Sequence, residues 1–117
     1  MSNPPEIQTY RFGHIIIDGA EYNRDVIIFP DHVRSDWRRR DGHSLALEDL
    51  VEVLEDDPEV IIVGRGAFGR LKVAEEVHQL MTERGIELLI FRTEEACKVY
   101  VELREQQRVI AVLHLSC

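Results

Sequence analysis

Val60-Ile61-Ile62-Val63-Gly64-Arg65-Gly66-Ala67-Phe68-Gly69 is the stretch on which the reading of this chain turns. Its four apolar, mostly β-branched residues predict a short strand buried on both faces. The Gly-x-Gly-x-x-Gly that follows has the spacing of a dinucleotide-binding turn. Its surroundings oppose that use. Such a turn belongs to the first strand–helix unit of its domain. Here a β-rich region and a helical pattern precede it. The turn also needs an acid about 20 residues on, at the end of the next strand, for the ribose hydroxyls. The next apolar run, Ile86 to Phe91, ends in Arg92-Thr93, and Glu94 and Glu95 fit better as first-turn acids of a helix. Neither NAD nor FAD is expected, and no cofactor is assigned. The glycines are read as permitting a tight turn from strand to helix.

Working outward, Val73, Val77, Leu80 and Met81 mark one helix face, closed by Gly85. Thr93 is placed to cap the next helix, with Ala96, Tyr100 and Leu103 facing inward. Val109 to Leu115 predicts a further apolar strand. Upstream, Leu47, Leu50, Val51 and Leu54 fall at i, i+3, i+4 and i+7, and Asp57-Pro58 ends that helix. Earlier still, Ile15 to Ile17 and Ala20 to Tyr22 flank Asp18-Gly19, the dipeptide of a tight hairpin. Val26 to Phe29 is another strand-like run, stopped by Pro30. Residues 31–44 are polar and read as a long loop that docks Trp37 onto the sheet and leaves its arginines wet. The order is a β-hairpin and strand, then αβαβαβ. That predicts an α/β fold whose central sheet is covered by helices.

A chain of 117 residues predicts one domain, residues 1–117. Its first six residues, with Pro4-Pro5, are expected to form a flexible, extended arm. The net charge of −8 opposes nucleic acid and anionic membrane as partners, because phosphate binding runs on Lys and Arg. Asp31, Asp36 and Asp41 also interleave with Arg34 and Arg38 to Arg40 beside Trp37, which weakens a phosphate-tracking reading of that loop. No apolar stretch approaches the roughly 20 residues that span a bilayer, and the start shows no signal-peptide pattern. Cys97 and Cys117 lack metal or redox spacing and are expected unpaired in a reduced, cytoplasmic protein. The histidines show no HxH or HExxH spacing, so no metal site is expected. Cys97 is read as a buried inert thiol, and no spacing brings His43 to it as a base.

A candidate binding site follows from parallel pairing of the runs ending at Val63 and Phe91. Arg65, Arg92 and Thr93 would then share the carboxyl edge of the sheet, where open α/β sheets bind ligands. Two guanidiniums, a hydroxyl and the N–H groups of Gly64 and Gly66 would favour a small anion. The loop carrying Trp37 and His43 precedes the first helix and is placed at the same edge. The competing reading has these arginines solvated or paired with surface acids. No catalytic residue is assigned.

Phe12-Gly13 with Ile15 and Ile17, Asp18-Gly19 and Tyr22, Trp37-Arg38, and Gly42-His43 form an ordered set. It continues through Leu47, Glu48-Asp49-Leu50, Pro58-Glu59, Gly64, Gly66, Thr93, Ala96 and Tyr100. From about Tyr10 to Leu115 this set resembles the small Mth-type domain family. That family includes the adipogenesis-associated Mth domain-containing protein, and the third assembly factor of mitochondrial complex I is similar. Arg65 and Val101 stand where that family often carries Thr and Asn. The resemblance implies a three-layer fold with a mixed central sheet and an N-terminal β-hairpin layer. It implies no established enzymatic activity. The leading expectation is a non-enzymatic interaction or assembly module of the cytosol, with an unidentified protein partner or a second copy as a homodimer. The alternative is a binder of small anions or phosphate metabolites, or an enzyme of unknown reaction, using the carboxyl-edge pocket.

Overall fold

The computed structural model describes residues 3–117; Met1 and Ser2, the start of the expected arm, lie outside the described residues. Along the chain run β1 (Ile7–Arg11), β2 (His14–Ile17), β3 (Ala20–Tyr22), β4 (Val26–Ile28), β5 (Val33–Arg34) and β6 (Ser44–Leu45). A 3-10 turn (Leu47–Leu50) leads into α1 (Val51–Glu55). Then come β7 (Val60–Arg65), β8 (Lys72–Val73), α2 (Glu75–Arg84), β9 (Glu87–Phe91), α3 (Thr93–Leu103) and β10 (Val109–His114).

The central sheet has the order β5-β4-β10-β7-β9. β10 pairs parallel with β7 and β7 parallel with β9, while β4 and β5 are antiparallel. The sheet is therefore mixed, as expected. The two central strands are apolar up to their last residues, Arg65 and His114, because they are buried on both faces. Val60 and Ile62 of β7 join Val109, Ala111 and Leu113 of β10 in one core. The alternating residues Ile61, Val63, Ile110 and Val112 join the other. The first core is closed by Ala96, Cys97 and Tyr100 of α3 and by Ile15 and Ile17 of the β1-β2-β3 meander. The second is closed by Leu50, Val53, Val77 and Met81. Three layers result. The β2–β3 turn has Asp18 at φ 48° and Gly19 at φ 80°, the two positive angles a two-residue hairpin turn needs.

Several expected elements are corrected. The first helix is a 3-10 turn followed by a single α turn, so its face is not the four-residue set expected. Val51 is 55% exposed, and Val53 is buried in its place. A 3-10 turn advances three residues per turn and eclipses Leu47 on Leu50. The chain therefore enters α1 with its inward stripe displaced. Asp49 fixes that entry by accepting the Ala46 N–H at 2.8 Å and the Arg40 N–H at 3.0 Å. The glycine turn does not open a helix. β8 intervenes and pairs parallel with β6, so Val73 belongs to a strand and α2 begins at Glu75. Residues 31–44 are likewise not one loop, since they contain β5 and lead into β6. Gly85, at φ 68°, closes α2 as expected. Near the N-terminus, the Pro5 carbonyl accepts the Tyr100 hydroxyl at 2.6 Å and the Pro4 carbonyl accepts Arg104 at 2.6 Å. Among the described residues no helix is long and apolar enough to cross a membrane.

Candidate functional site

The registers His114 with Arg65 and Gly64 with Phe91 bring the carboxyl ends of β10, β7 and β9 level. The glycine turn sits there under pressure. Gly66 has φ +94°, and a Cβ on it would lie 2.5 Å from the Cys117 carbonyl carbon and 2.8 Å from His114 Cδ2. A Cβ on Gly64 would lie 2.9 Å from Thr93 Oγ1. The glycines are required by close approach of the C-terminal segment and of α3. Thr93 is fully buried, and it is not the side-chain cap expected of it. Arg92 holds the cap position, while the Thr93 hydroxyl accepts the Gly66 N–H at 2.8 Å and donates to the His114 carbonyl at 2.5 Å.

That arrangement corrects part of the expected anion site. Ala67 N–H donates to Ser116, Gly69 N–H to Gly66, Arg70 N–H to Cys117 and Leu71 N–H to Arg65. These four donors of the turn are thus taken by the protein's own carbonyls, and a phosphate cradle needs them free. Gly64, Gly66 and Thr93 hold the edge together. Trp37 does not line the Arg65 notch. It is buried in the second core, its indole N–H 3.4 Å from the Asp49 carbonyl. His43 is exposed and meets the edge only through its carbonyl, which accepts the Lys72 N–H at 2.9 Å.

The loop arginines divide. Arg38 and Arg40 are exposed on Asp36 and Glu48. Arg39 is buried, its side chain 5% exposed, with its guanidinium 4.8 Å from the Trp37 ring centroid. It forms a cluster that spacing could not suggest. Asp25 accepts Arg39 Nη1 at 2.9 Å, His114 Nδ1 at 2.7 Å and the Leu115 N–H at 2.8 Å. His114 Nδ1 also lies 3.3 Å from Arg39 Nη2. The shorter contact decides the tautomer: Nδ1–H donates to Asp25, and Arg39 Nη2 donates to the Gly42 carbonyl at 3.1 Å. Burial raises the Asp25 pKa, but the bonds from His114, Leu115 and Arg39 outweigh it and hold the carboxyl below its usual range.

Arg65 keeps its expected position at the edge but does not share its notch with Arg92. Alternation along β7 turns Gly64 toward α3 and Arg65 toward α2. Arg65 lines a notch of about 420 Å³ with Lys72, Val73, His78 and Ile90. Its Nε donates to the Leu71 carbonyl at 2.7 Å. Arg92 lies outside the notch, with its Cγ beside Gly69. Beyond the notch, Phe12 and Phe68 stand 56% and 61% exposed on the β1–β2 turn and the glycine turn. Their ring centroids are 6.0 Å apart, and the Arg70 guanidinium lies 5.9 Å from the Phe68 centroid. The legible signal for Phe68 was an aromatic residue placed between turn glycines.

Cys97 is buried in the first core, and burial followed by the charge of Glu94 pushes its thiol up to about 12. A thiol so raised is a poor nucleophile at neutral pH. It is on the α3 side of the sheet, and His43 is beside β8 in the α2 layer. Both cysteines are unpaired.

Comparison with known proteins places this geometry in a family. Residues 7–114 match a family described as protein of unknown function (DUF498/DUF598). The conserved hypothetical protein PH1505 of Pyrococcus horikoshii is 31% identical, with a TM-score of 0.82 over 96% of this chain and 99% of that one. A structure titled MT938 is 31% identical, with a TM-score of 0.80 over 97% of this chain and 99% of that one. A Bordetella pertussis protein described as a Mth938-like domain shares the fold at 17% identity, with a TM-score of 0.63 over 98% and 90% of the two chains. These matches support the expected Mth-type resemblance at the level of the family.

Proposed function

This chain belongs to the DUF498/DUF598 family of proteins of unknown function, and from that premise we propose that it is a non-enzymatic interaction or assembly module of the cytosol. The observation that carries the reading is the exposed Phe12–Phe68 pair with Arg70 over one ring. Grouped aromatic residues gain nothing from water, and aromatic residues with Arg are enriched at the centres of protein interfaces. The partner surface is apolar at its centre and acidic around it, to match Arg70. The partner is a second protein or a second copy of this chain. Neither Thr93 nor Cys97 is free for nucleophilic chemistry: Thr93 bridges two backbone groups, and the Cys97 thiol is buried and protonated.

A photo-crosslinking residue at position 68 tests the reading. One adduct of defined mass is expected, a second copy or another protein, and Phe12→Ser should remove it. An adduct indifferent to Phe12, or none at all with a monomer in native mass spectrometry, overturns the proposal. The second reading, small-anion binding, is favoured by the composition of the Arg65 notch and is developed next.

A further inference from the structure

We propose that the notch of Arg65, Lys72 and His78 binds a small phosphate-type dianion, free or carried as a phosphate ester. The inference is independent of the Phe12–Phe68 surface and does not use the glycine turn.

Three observations converge on it. First, the lining residues bring three basic side chains together with Val73 and Ile90 and include no carboxylate. The chain has 22 acidic residues against 14 basic ones, so such a lining runs against its composition. Second, most cations elsewhere find acids: Arg34 meets Glu52, Arg40 meets Glu48, and Arg108 meets Asp56, with Arg11 and Arg84 the exceptions among the described residues. Arg65 and Lys72 form no ion pair among the described residues, and neither do their neighbours Arg70 and Arg92. Most of the cations without an ion pair therefore lie at the edge where an open α/β sheet receives ligands. Third, Arg65 is held in place. Its Nε is committed to the Leu71 carbonyl at 2.7 Å, while Nη1 and Nη2 make no hydrogen bond among the described residues. A guanidinium fixed by its Nε presents a pre-oriented fork, the geometry that suits two oxygens of one phosphate. Little conformational entropy is then lost on binding.

The remaining wall sets the ligand class. Lys72 and His78 are exposed and supply donors from β8 and from α2, so the anion would be held from two elements besides β7. Val73 and Ile90 offer an apolar surface to whatever carbon body the phosphate carries. A volume of about 420 Å³ suits a small metabolite.

The test is an amide NMR titration with sodium phosphate at constant ionic strength, with chloride as the reference and glycerol phosphate as a second arm. Saturable shifts are expected at residues 65, 71–78 and 90. Arg65→Gln should weaken binding about tenfold or more, the scale of a hydrogen bond to a charged group. Arg84→Gln, at the far end of α2, should leave it unchanged. Tighter binding of the ester than of the free ion assigns the apolar wall to its carbon body; equal binding assigns the site to the ion itself. If Arg65→Gln does not fold, Lys72→Glu reverses an exposed charge without touching the Leu71 bond and should abolish saturation. Shifts that merely follow chloride, or wild-type affinity in folded Arg65→Gln or Lys72→Glu, overturn the proposal.

Discussion

Arg39 and Arg65 stand at the same edge of one sheet in opposite conditions. Arg39 is enclosed: its head packs over Trp37, and Nη1 and Nη2 donate to Asp25 and to the Gly42 carbonyl, while the buried Nε has no partner among the described residues. Arg65 spends one donor on a carbonyl and leaves the rest toward an open notch. The first arginine completes a network that ties the loop after β5 to the end of β10. The second has no protein group to complete. A buried charge is retained only when its partners are in place, since desolvation otherwise exceeds what the ion pair returns. A half-exposed charge tolerates vacancy because water solvates it. The contrast separates a cation used to hold the fold from one available to a ligand.

The sharpest way to break this comparison is Asp25→Ala. It strands Arg39 without a counter-ion and should cost about 3–5 kcal/mol in denaturant unfolding. A loss near zero would show that Arg39 is solvated much as Arg65 is. Gly66→Ala should follow at about 2–3 kcal/mol, because the methyl group meets Cys117 and His114 and the positive φ adds strain. Thr93→Val should cost about 1–3 kcal/mol by orphaning the Gly66 N–H and the His114 carbonyl. Thr93→Ser should restore most of that loss in the same measurement.

Acid gives a gentler probe of the enclosed cluster. The Asp25 carboxyl titrates lower in the folded chain than in the unfolded one. Its contribution is therefore fully present above the unfolded pKa, about 3.9, and is lost as pH falls through the lower folded value. Chemical unfolding below about pH 4 should show a stability decline that is shallower in a folded Asp25→Asn variant. An identical decline in both would assign the acid sensitivity elsewhere. The smallest effect belongs to the open site: Lys72→Gln should change stability by less than about 0.5 kcal/mol, and a larger loss would mean that Lys72 holds the fold.

Much of the sheet was legible because its signal is local. Val60 to Val63 and Val109 to Leu113 are unbroken apolar runs, as strands covered on both faces must be. Asp18-Gly19 carried its own turn geometry, and Gly85 its left-handed cap. The first helix was misread because 3-10 and α turns differ in phase, and a short apolar pattern does not separate them. Of the residues expected for an anion site, the proposed notch keeps Arg65 and takes Lys72 and His78 in place of the others. Arg65 and Arg92 share a face by the register of β7 with β9, but Arg92 stands past the end of β9 as the cap of α3 with its Cγ beside Gly69, so reaching one edge did not place both in one notch.

What the sequence by itself determined is which segments become central strands and where the tightest turns fall, because those outcomes depend on residues a few positions apart. The tertiary structure alone decided which polar groups are spent and which remain free. Asp25 meets His114 across 89 positions and Arg39 meets His114 across 75. Thr93 takes up the Gly66 N–H across 27. Such pairings follow from the register of β10 between β4 and β7, which brings distant residues within hydrogen-bond reach. The notch beside Arg65 is the complement of those pairings, the part of the edge where neither register nor turn supplied a partner for the charge.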